Sequence, residues 1–544
     1  MKLTLEGIRN KEEWEALKIG LPGYDIEALR NRTKAAPVWI HFGIGNIFRS
    51  FIGNIAEGLV RAGETDKGIL CAEAYDFEVV DRIYDPHDDL ALNIILNADG
   101  SRKMEVYGAF AEAVRAGSQY PEDWQRLKDI FAAPSLQMVS FTITEKGYAL
   151  SGADGEYYPA VLKDMQDGPS APANVIAIIT AMLLERFKAG AYPLALVSMD
   201  NCSQNGKKLR EAVLTVAGEW HSRGFVSEEF LGYLADEGRI AFPWTMIDKI
   251  TPRPLESLEE ELRQNGIEGM DILITEKKTY IAPYTNAEGP QYLVIEDSFP
   301  NGRPPLEKGG VYMADRETVS KSERMKVTAC LNPIHTALCT YDCMLGYELF
   351  ADGMSDPDLH ALAERVGYKE GLPAVEDPGI FSPKAFLDEV MNDRFPNPYL
   401  GDTSQRIATD ISQMTAIRFG ETIRFYVSRD GSAAALKGIP VAIAGWLRYL
   451  LGVDDQGKPM EIAPEPMLEE LQGMLSALSP DMSDTPLDKR VEIVHDAVGG
   501  ILSNKVLFGS DLYEAGIGEK IERILAEELG GRGSVRRTLH KYIS

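Results

Sequence analysis

The run His41-Phe-Gly-Ile-Gly-Asn-Ile-Phe-Arg49 sets two glycines, Gly43 and Gly45, between an apolar stretch and a pattern of helical period. A first glycine in that place permits a tight turn, and a second lets backbone N–H groups and a helix N-terminus approach a pyrophosphate. Asn46 and Ile47, next in the turn, would also contact the cofactor, and Arg49, one turn into the helix, would meet phosphate or lie in solvent. The third glycine of the fingerprint is absent and Phe48 stands in its place, so the spacing alone also fits a plain strand-to-helix turn. The next apolar run, "KGILCAEAYD", ends near Glu73 and Asp76. A carboxylate there would bond ribose hydroxyls and repel a 2′-phosphate, which favours NAD over NADP. A second stretch, "ERMKVTACLNPIHTAL" at 323–338, sets Lys326, Asn332 and His335 among apolar residues with Pro333 between the last two.

Elements must hold these groups in place. Short apolar runs at "APVWIHF", "KGILCAEAYD", "LQMVSFTITEKGY" and "YPLALVSMDNCSQNG" alternate with helical stretches such as "ANVIAIITAMLLERFKAG". That alternation implies a parallel sheet covered on both faces. Ligands of such sheets bind beyond the carboxyl ends of the strands, where Thr144, Glu145, Asp200 and Asn201 fall. Near "YTNAEGPQYLVIEDSFPNGRPPLEKGG" the composition turns to Pro, Gly and Asn, which suggests a boundary. Beyond it, "HTALCTYDCMLGYELF", "DPDLHALAERVGY", "SPKAFLDEVMNDRF", "AAALKGIPVAIAGWLRYLLG", "PMLEELQGMLSAL" and "IGEKIERILAEELG" have apolar residues at helical spacing. The expected architecture is an α/β, Rossmann-like NAD-binding domain with a parallel sheet over 1–295 and a mainly α-helical substrate and catalytic domain over 296–544. The active site is expected between them.

Composition narrows the partners. A formal net charge of −27 with no Lys/Arg-rich block argues against a nucleic-acid or anionic-membrane surface. No apolar run approaches the ~18 residues of a spanning helix, and "MKLTLEGIRNKEEWEAL" lacks the apolar core of a signal peptide. A cytoplasmic protein, monomeric or a small homo-oligomer, is expected. Five scattered cysteines form no disulfide framework, and seven isolated histidines show no zinc spacing, so metal-free chemistry on a small-molecule substrate is expected.

Seven stretches in order, "HFGIGNIFR", "TITEKGY", "SMDNCSQNG", "FPWTMIDKITP", "VIEDSFPNGRPPLE", the lysine-to-histidine segment and "RFPNPYLGDTSQRIATD", resemble the polyol-specific long-chain dehydrogenases. That family includes mannitol 2-dehydrogenase and the hexuronate reductases. The resemblance runs from about residue 38 to the C-terminus. It implies a metal-independent, NAD(P)-linked oxidation of a secondary alcohol. Lys326 would be the general base, Asn332 and His335 would hold the substrate oxygen, and Glu323 would relay the proton. Asn201, Asp248 and Arg406 match family positions on the substrate side, and Arg394 and Arg418 lie in or near the same segment as Arg406.

The residue types suit the reaction: hydride leaves a carbinol carbon readily only if the hydroxyl proton leaves too, and a desolvated lysine can take it. Fixed donors such as Asn332 and His335 stabilise the charge developing on oxygen. An arginine fits a substrate carboxylate bidentately, and "CLNPIHTAL" and "SQRIATD" look more like the hexuronate reductases, so D-mannonate and D-fructuronate are the expected pair. The alternatives are a mannitol/fructose-type polyol 2-dehydrogenase, a tagaturonate reductase and an NAD-binding sensor without turnover.

Two departures from the family stand out. Met414 occupies a position where the family often has lysine, and one extra residue separates Lys326 from Asn332. On a regular helix at ~100° per residue, Lys326 and His335 would face opposite sides. A π-bulge, or a helix break with Asn332 as N-cap and Pro333 first in the new helix, would restore a shared face. The hydrogen-bond ladder is therefore expected to be disrupted between Val327 and Asn332.

Overall fold

The computed structural model describes residues 1–152 and 154–544, and the chain divides into two compact units, Met1–Ser320 and Lys321–Ser544. The first unit holds a sheet of six parallel strands: β1 (Trp39–Phe42), β2 (Ile69–Glu73), β3 (Phe110–Arg115), β4 (Met138–Phe141), β5 (Leu194–Ser198) and β6 (Ile240–Ala241). Their spatial order is β3-β2-β1-β4-β5-β6, that of the dinucleotide-binding doubly wound fold. Every residue of β1, β2, β4 and β5 is buried, which is why these strands read as unbroken apolar runs. Successive side chains still feed opposite faces. Ile40, Phe42, Val139 and Phe141 pack with Leu127 and Ile179 on one side. Trp39, Met138 and Val197 pack with Phe51, Ile55 and Leu59 on the other.

The order reverses between β1 and β4, which opens a crevice beyond their carboxyl ends. His41 links these two strands, with Nδ1 2.7 Å from Ser140 Oγ and Nε2 2.8 Å from Thr142 Oγ1. Burial pushes its pKa down to about 3. His41 is thus a neutral staple that keeps a single ring proton at physiological pH.

The sequence expectation divided the chain at 295/296, whereas its compact units meet after Ser320. The Pro/Gly-rich stretch holds strand Tyr284–Ala287, which pairs with Ala91–Leu96, and strand Tyr292–Glu296, which pairs with Thr245–Asp248. Strand Tyr312–Ala314 then adds to Tyr292–Glu296, so backbone pairing carries the first unit past residue 310. The new boundary falls inside helix Arg316–Met325.

The second unit is helical. Asn332–Leu345, Pro357–Glu364, Pro383–Glu389, Gly438–Tyr449, Leu468–Met474 and Gly518–Glu528 answer the six periodic segments. Helices Asn332–Leu345 and Gly438–Tyr449 approach so closely that a Cβ on Gly445 would lie 2.4 Å from the Tyr341 ring. Among the described residues no helix is long and apolar enough to cross a membrane.

Two buried carboxyls lean on Asn332–Leu345. Tyr341 Oη lies 2.6 Å from Glu528 Oε1 and 2.9 Å from the Val441 carbonyl. The Tyr341 hydroxyl is the donor toward both oxygens. Asp342 accepts from Ser404 Oγ at 2.7 Å, and its other oxygen is buried with no partner among the described residues. Burial pushes each carboxyl up to about 8. Raised folded-state values mean that the unfolded chain releases these protons first, so their contribution to stability falls as pH climbs from about 4 to about 8. Denaturant titrations between pH 5 and 8.5 are expected to show wild type losing several kcal/mol relative to Asp342→Asn/Glu528→Gln as pH rises. Parallel profiles would show that neither carboxyl retains its proton.

Candidate active site

The glycine turn follows β1. Gly43 has φ +89°, and a Cβ there would lie 2.1 Å from the Thr142 carbonyl oxygen, so only glycine fits. Gly45 is the opposite case: a Cβ on it would have no atom within 4 Å. The turn thus presents open space at the N-terminus of the helix over residues 46–61, whose first N–H groups have no intrahelical acceptor. The two glycines and the helix start fit a dinucleotide pyrophosphate.

The acids near the end of β2 are held by the protein itself. Glu73 is buried and accepts from the backbone N–H groups of Ile44 at 3.2 Å, Tyr75 at 2.9 Å and Asp76 at 3.2 Å. Burial raises its pKa while these donors pull it back. Glu73 therefore laces the glycine turn to the end of β2. Asp76, also buried, accepts from Thr275 Oγ1 at 2.6 Å, and the Glu276 N–H donates to Glu78 at 2.8 Å.

Arg49 corrects the sequence expectation. It is fully buried, facing neither solvent nor an open groove; Nη1 donates to the Ala282 carbonyl at 2.6 Å and Nη2 to Asn46 Oδ1 at 2.8 Å. A desolvated guanidinium needs acceptors, and these two supply them. Asn46 in turn donates to the Tyr280 carbonyl at 3.0 Å. Asn46, Arg49 and Asp76 therefore all fasten the segment 275–282 alongside the glycine turn. Nothing in the sequence near residue 49 signals partners more than two hundred positions away.

At the ends of β4 and β5, Asp200 accepts from Ile143 N at 2.9 Å, Thr144 N at 3.0 Å and Tyr148 Oη at 2.6 Å. It holds Thr144 at φ +64°, a left-handed conformation that a β-branched residue rarely adopts. Asn201 follows it, exposed. Asp248 ends strand Thr245–Asp248 and is buried.

In the second unit the ladder breaks where the residue spacing requires it. Helix Arg316–Met325 passes into a π-turn over Lys326–Cys330, in which the Leu331 N–H donates to the Lys326 carbonyl at 3.1 Å. Leu331 then leaves helical geometry at φ −135° and ψ −70°, and a new helix starts at Asn332 with Pro333 in its first turn. Both anticipated devices occur in series, with Leu331 and not Asn332 as the cap. Lys326 is 2% exposed and so is no surface lysine. Asn332 Oδ1 is buried with no partner among the described residues. The His335 ring sits against Phe350 and Phe395, with centroids 4.8 and 4.5 Å away. Glu323 is half-buried, one turn before Lys326.

The arginines differ from one another. Arg394, at the end of a π-turn over Val390–Arg394, is buried. Arg418 donates to Thr336 Oγ1 at 2.7 Å, beside His335, and burial lowers its pKa. The Arg406 side chain is 67% exposed and paired with Asp402. Met414 is half-buried. Among the described residues no three His, Cys, Asp or Glu side chains gather as metal ligands would.

Residues 38–308 match the family model of the mannitol dehydrogenase Rossmann domain, and residues 318–522 match that of the mannitol dehydrogenase C-terminal domain. D-mannonate oxidoreductase of Thermotoga maritima is 47% identical over 549 residues, spanning 100% of this chain and 99% of that protein. D-mannonate oxidoreductase of Escherichia coli is 28% identical over 84% of this chain and 87% of its own. A solved ternary complex of Pseudomonas fluorescens mannitol 2-dehydrogenase with NAD and D-mannitol has a TM-score of 0.70 at 25% identity, covering 99% of each chain. Sheet order, glycine turn and these matches agree: the chain belongs to the mannitol dehydrogenase family and is an oxidoreductase acting on CH–OH groups.

Proposed function

We propose that this protein is an NAD-dependent oxidoreductase interconverting D-mannonate and D-fructuronate, with Lys326 as general base. The observation that carries the reading is a lysine 2% exposed on a π-turn, followed six positions later by a buried asparagine oxygen with no partner among the described residues. Such orphaned buried groups are rare in folded proteins and call for an explanation; a substrate hydroxyl would supply the missing bond. Desolvation disfavours the ammonium form of a buried lysine, and the neutral amine that results has a lone pair to accept a proton. Lys326 accepts the hydroxyl proton, Asn332 and His335 steady the oxygen as charge develops on it, and Glu323 passes the proton outward. NAD, when bound, would supply the hydride acceptor for the carbinol carbon. Gly43 and Gly45 admit its pyrophosphate, and Glu73 fixes the turn that receives it.

The sugar acid is favoured by the 47% identity to D-mannonate oxidoreductase over the full chain and by the buried Arg394, which suits a carboxylate. Arg406 is a second partner for that carboxylate. A neutral polyol remains the alternative, because Arg406 is already paired with Asp402.

The test follows nicotinamide absorbance with NADH and fructuronate, tagaturonate or fructose in turn. Fructuronate is expected to react fastest. Arg406→Ala is expected to raise KM for mannonate about tenfold or more, the worth of one charge-assisted hydrogen bond, and to leave KM for mannitol nearly unchanged. Equal effects on both would favour the polyol.

A further inference from the structure

We propose that Asn205 is a positioning residue for the substrate side of the site, holding the turn that carries Asn201 in register with the strand that carries Asp248. The proposal rests on the functional reading above together with the family resemblance, which implies that those two residues lie on the substrate side.

Asn205 is 1% exposed, and both ends of its carboxamide are engaged. Nδ2 donates to the Asp200 carbonyl at 3.0 Å, the Thr245 carbonyl at 3.1 Å and Thr245 Oγ1 at 2.8 Å. Oδ1 accepts from Thr245 N at 3.0 Å and Gly206 N at 2.8 Å. One side chain therefore closes the turn 200–205 onto its own start and binds it to the first residue of Thr245–Asp248. Neighbouring features serve the same junction. A Cβ on Gly206 would lie 2.5 Å from the Phe242 carbonyl oxygen, so this approach requires glycine. Gln204 enters the helix at φ +52°, a left-handed step that the junction holds in place. Thr245 Oγ1 donates to the Ser198 carbonyl at 2.7 Å, which ties the junction to the last residue of β5.

The consequence is geometric. Asn201 lies inside the closed turn and Asp248 lies three residues beyond Thr245, so Asn205 fixes the spacing between the two groups assigned to the substrate side. Asp200 extends the device, because its carbonyl is held by Asn205 while its carboxylate holds Ile143 and Thr144 beyond β4. A shift of about 1 Å in such a placement can cost about 10²-fold in rate without any loss of chemistry. None of these bonds reaches the glycine turn or the 275–282 segment, so cofactor binding should be indifferent to them.

The experiment compares wild type, Asn205→Ala, Asn201→Ala and the double variant on whichever polyol or sugar acid the wild type turns over. An error about the sugar acid then leaves the ratios readable. Asn205→Ala is expected to lower kcat/KM about 10²-fold while the NADH dissociation constant, from fluorescence titration, moves less than about threefold. The double variant should be no worse than the poorer single variant, because Asn205 acts through Asn201. Additive losses, near-normal kcat/KM, or a loss of NADH affinity matching the loss of turnover would each overturn the proposal. Should Asn205→Ala not fold, Thr245→Val removes only the hydroxyl contacts. It carries the same expectation, Thr245→Ser should restore activity, and a normal kcat/KM in Thr245→Val would count against the role.

Discussion

Lys326→Ala is expected to cut turnover by about 10²–10⁴-fold, the range of a lost general base, and to leave NADH binding nearly unchanged. In the proposed reaction the lysine acts on the hydroxyl proton of the substrate, and its segment has no part in the glycine turn. Its place in a π-turn matters: Leu331 N bonds to Lys326 O, one residue beyond the usual helical partner, so the side chain is rotated relative to a regular helix. Steady-state rates combined with NADH fluorescence titration separate the two effects. Near-normal turnover with tight NADH binding would remove Lys326 from the chemistry.

The second large effect separates the two glycines of one turn. Gly43→Ala forces an L-residue to φ +89° and sets its Cβ 2.1 Å from a backbone oxygen. The left-handed penalty is about 1–2 kcal/mol and overpacking adds about 1–3 kcal/mol, so a loss of roughly 2–5 kcal/mol of stability is expected, and NAD binding with it. Gly45→Ala has room for its Cβ, so stability should stay within about 0.5 kcal/mol. That methyl instead fills the space into which a pyrophosphate would come, and NAD affinity should fall about tenfold or more. Thermal melts and cofactor titrations of the pair decide the matter. Equal melting temperatures, or unaltered affinity in Gly45→Ala, would contradict the assignment of the turn.

Much of this was legible in local pattern. Strands buried on both faces must be apolar throughout, so β1, β2, β4 and β5 stand out as runs in the sequence, and the carboxyl ends of β4 and β5 follow from where those runs stop. The break after Lys326 followed from counting helical turns. Other features were hidden because their partners are remote in sequence. Arg49 reads as a phosphate or surface residue until the Ala282 carbonyl is placed beside it, and Asp76 reads as a free ribose acceptor until Thr275 is. The division after Ser320 was hidden for a related reason: Pro and Gly mark loops, but Tyr292–Glu296 and Tyr312–Ala314 pair across such a loop and keep it in the first unit. Asn205 carries no local signal beyond the turn preference of Asn-Gly, since its purpose lies forty residues downstream at Thr245.

The wall along the nucleotide groove also sets an order of assembly. The last strand of the parallel sheet ends at Ala241, whereas the residues that fasten to Asp76, Asn46 and Arg49 are Thr275, Tyr280 and Ala282. Those bonds span 199, 234 and 233 positions. Contacts of such separation form slowly, because a long loop must close before they contribute anything. On the ribosome, where a chain emerges from its N-terminus at about 5–20 residues per second, the whole sheet is exposed seconds before its groove can be walled. During that interval the buried guanidinium of Arg49 lacks its Ala282 acceptor, and the nascent sheet is a scaffold whose binding site is not yet complete.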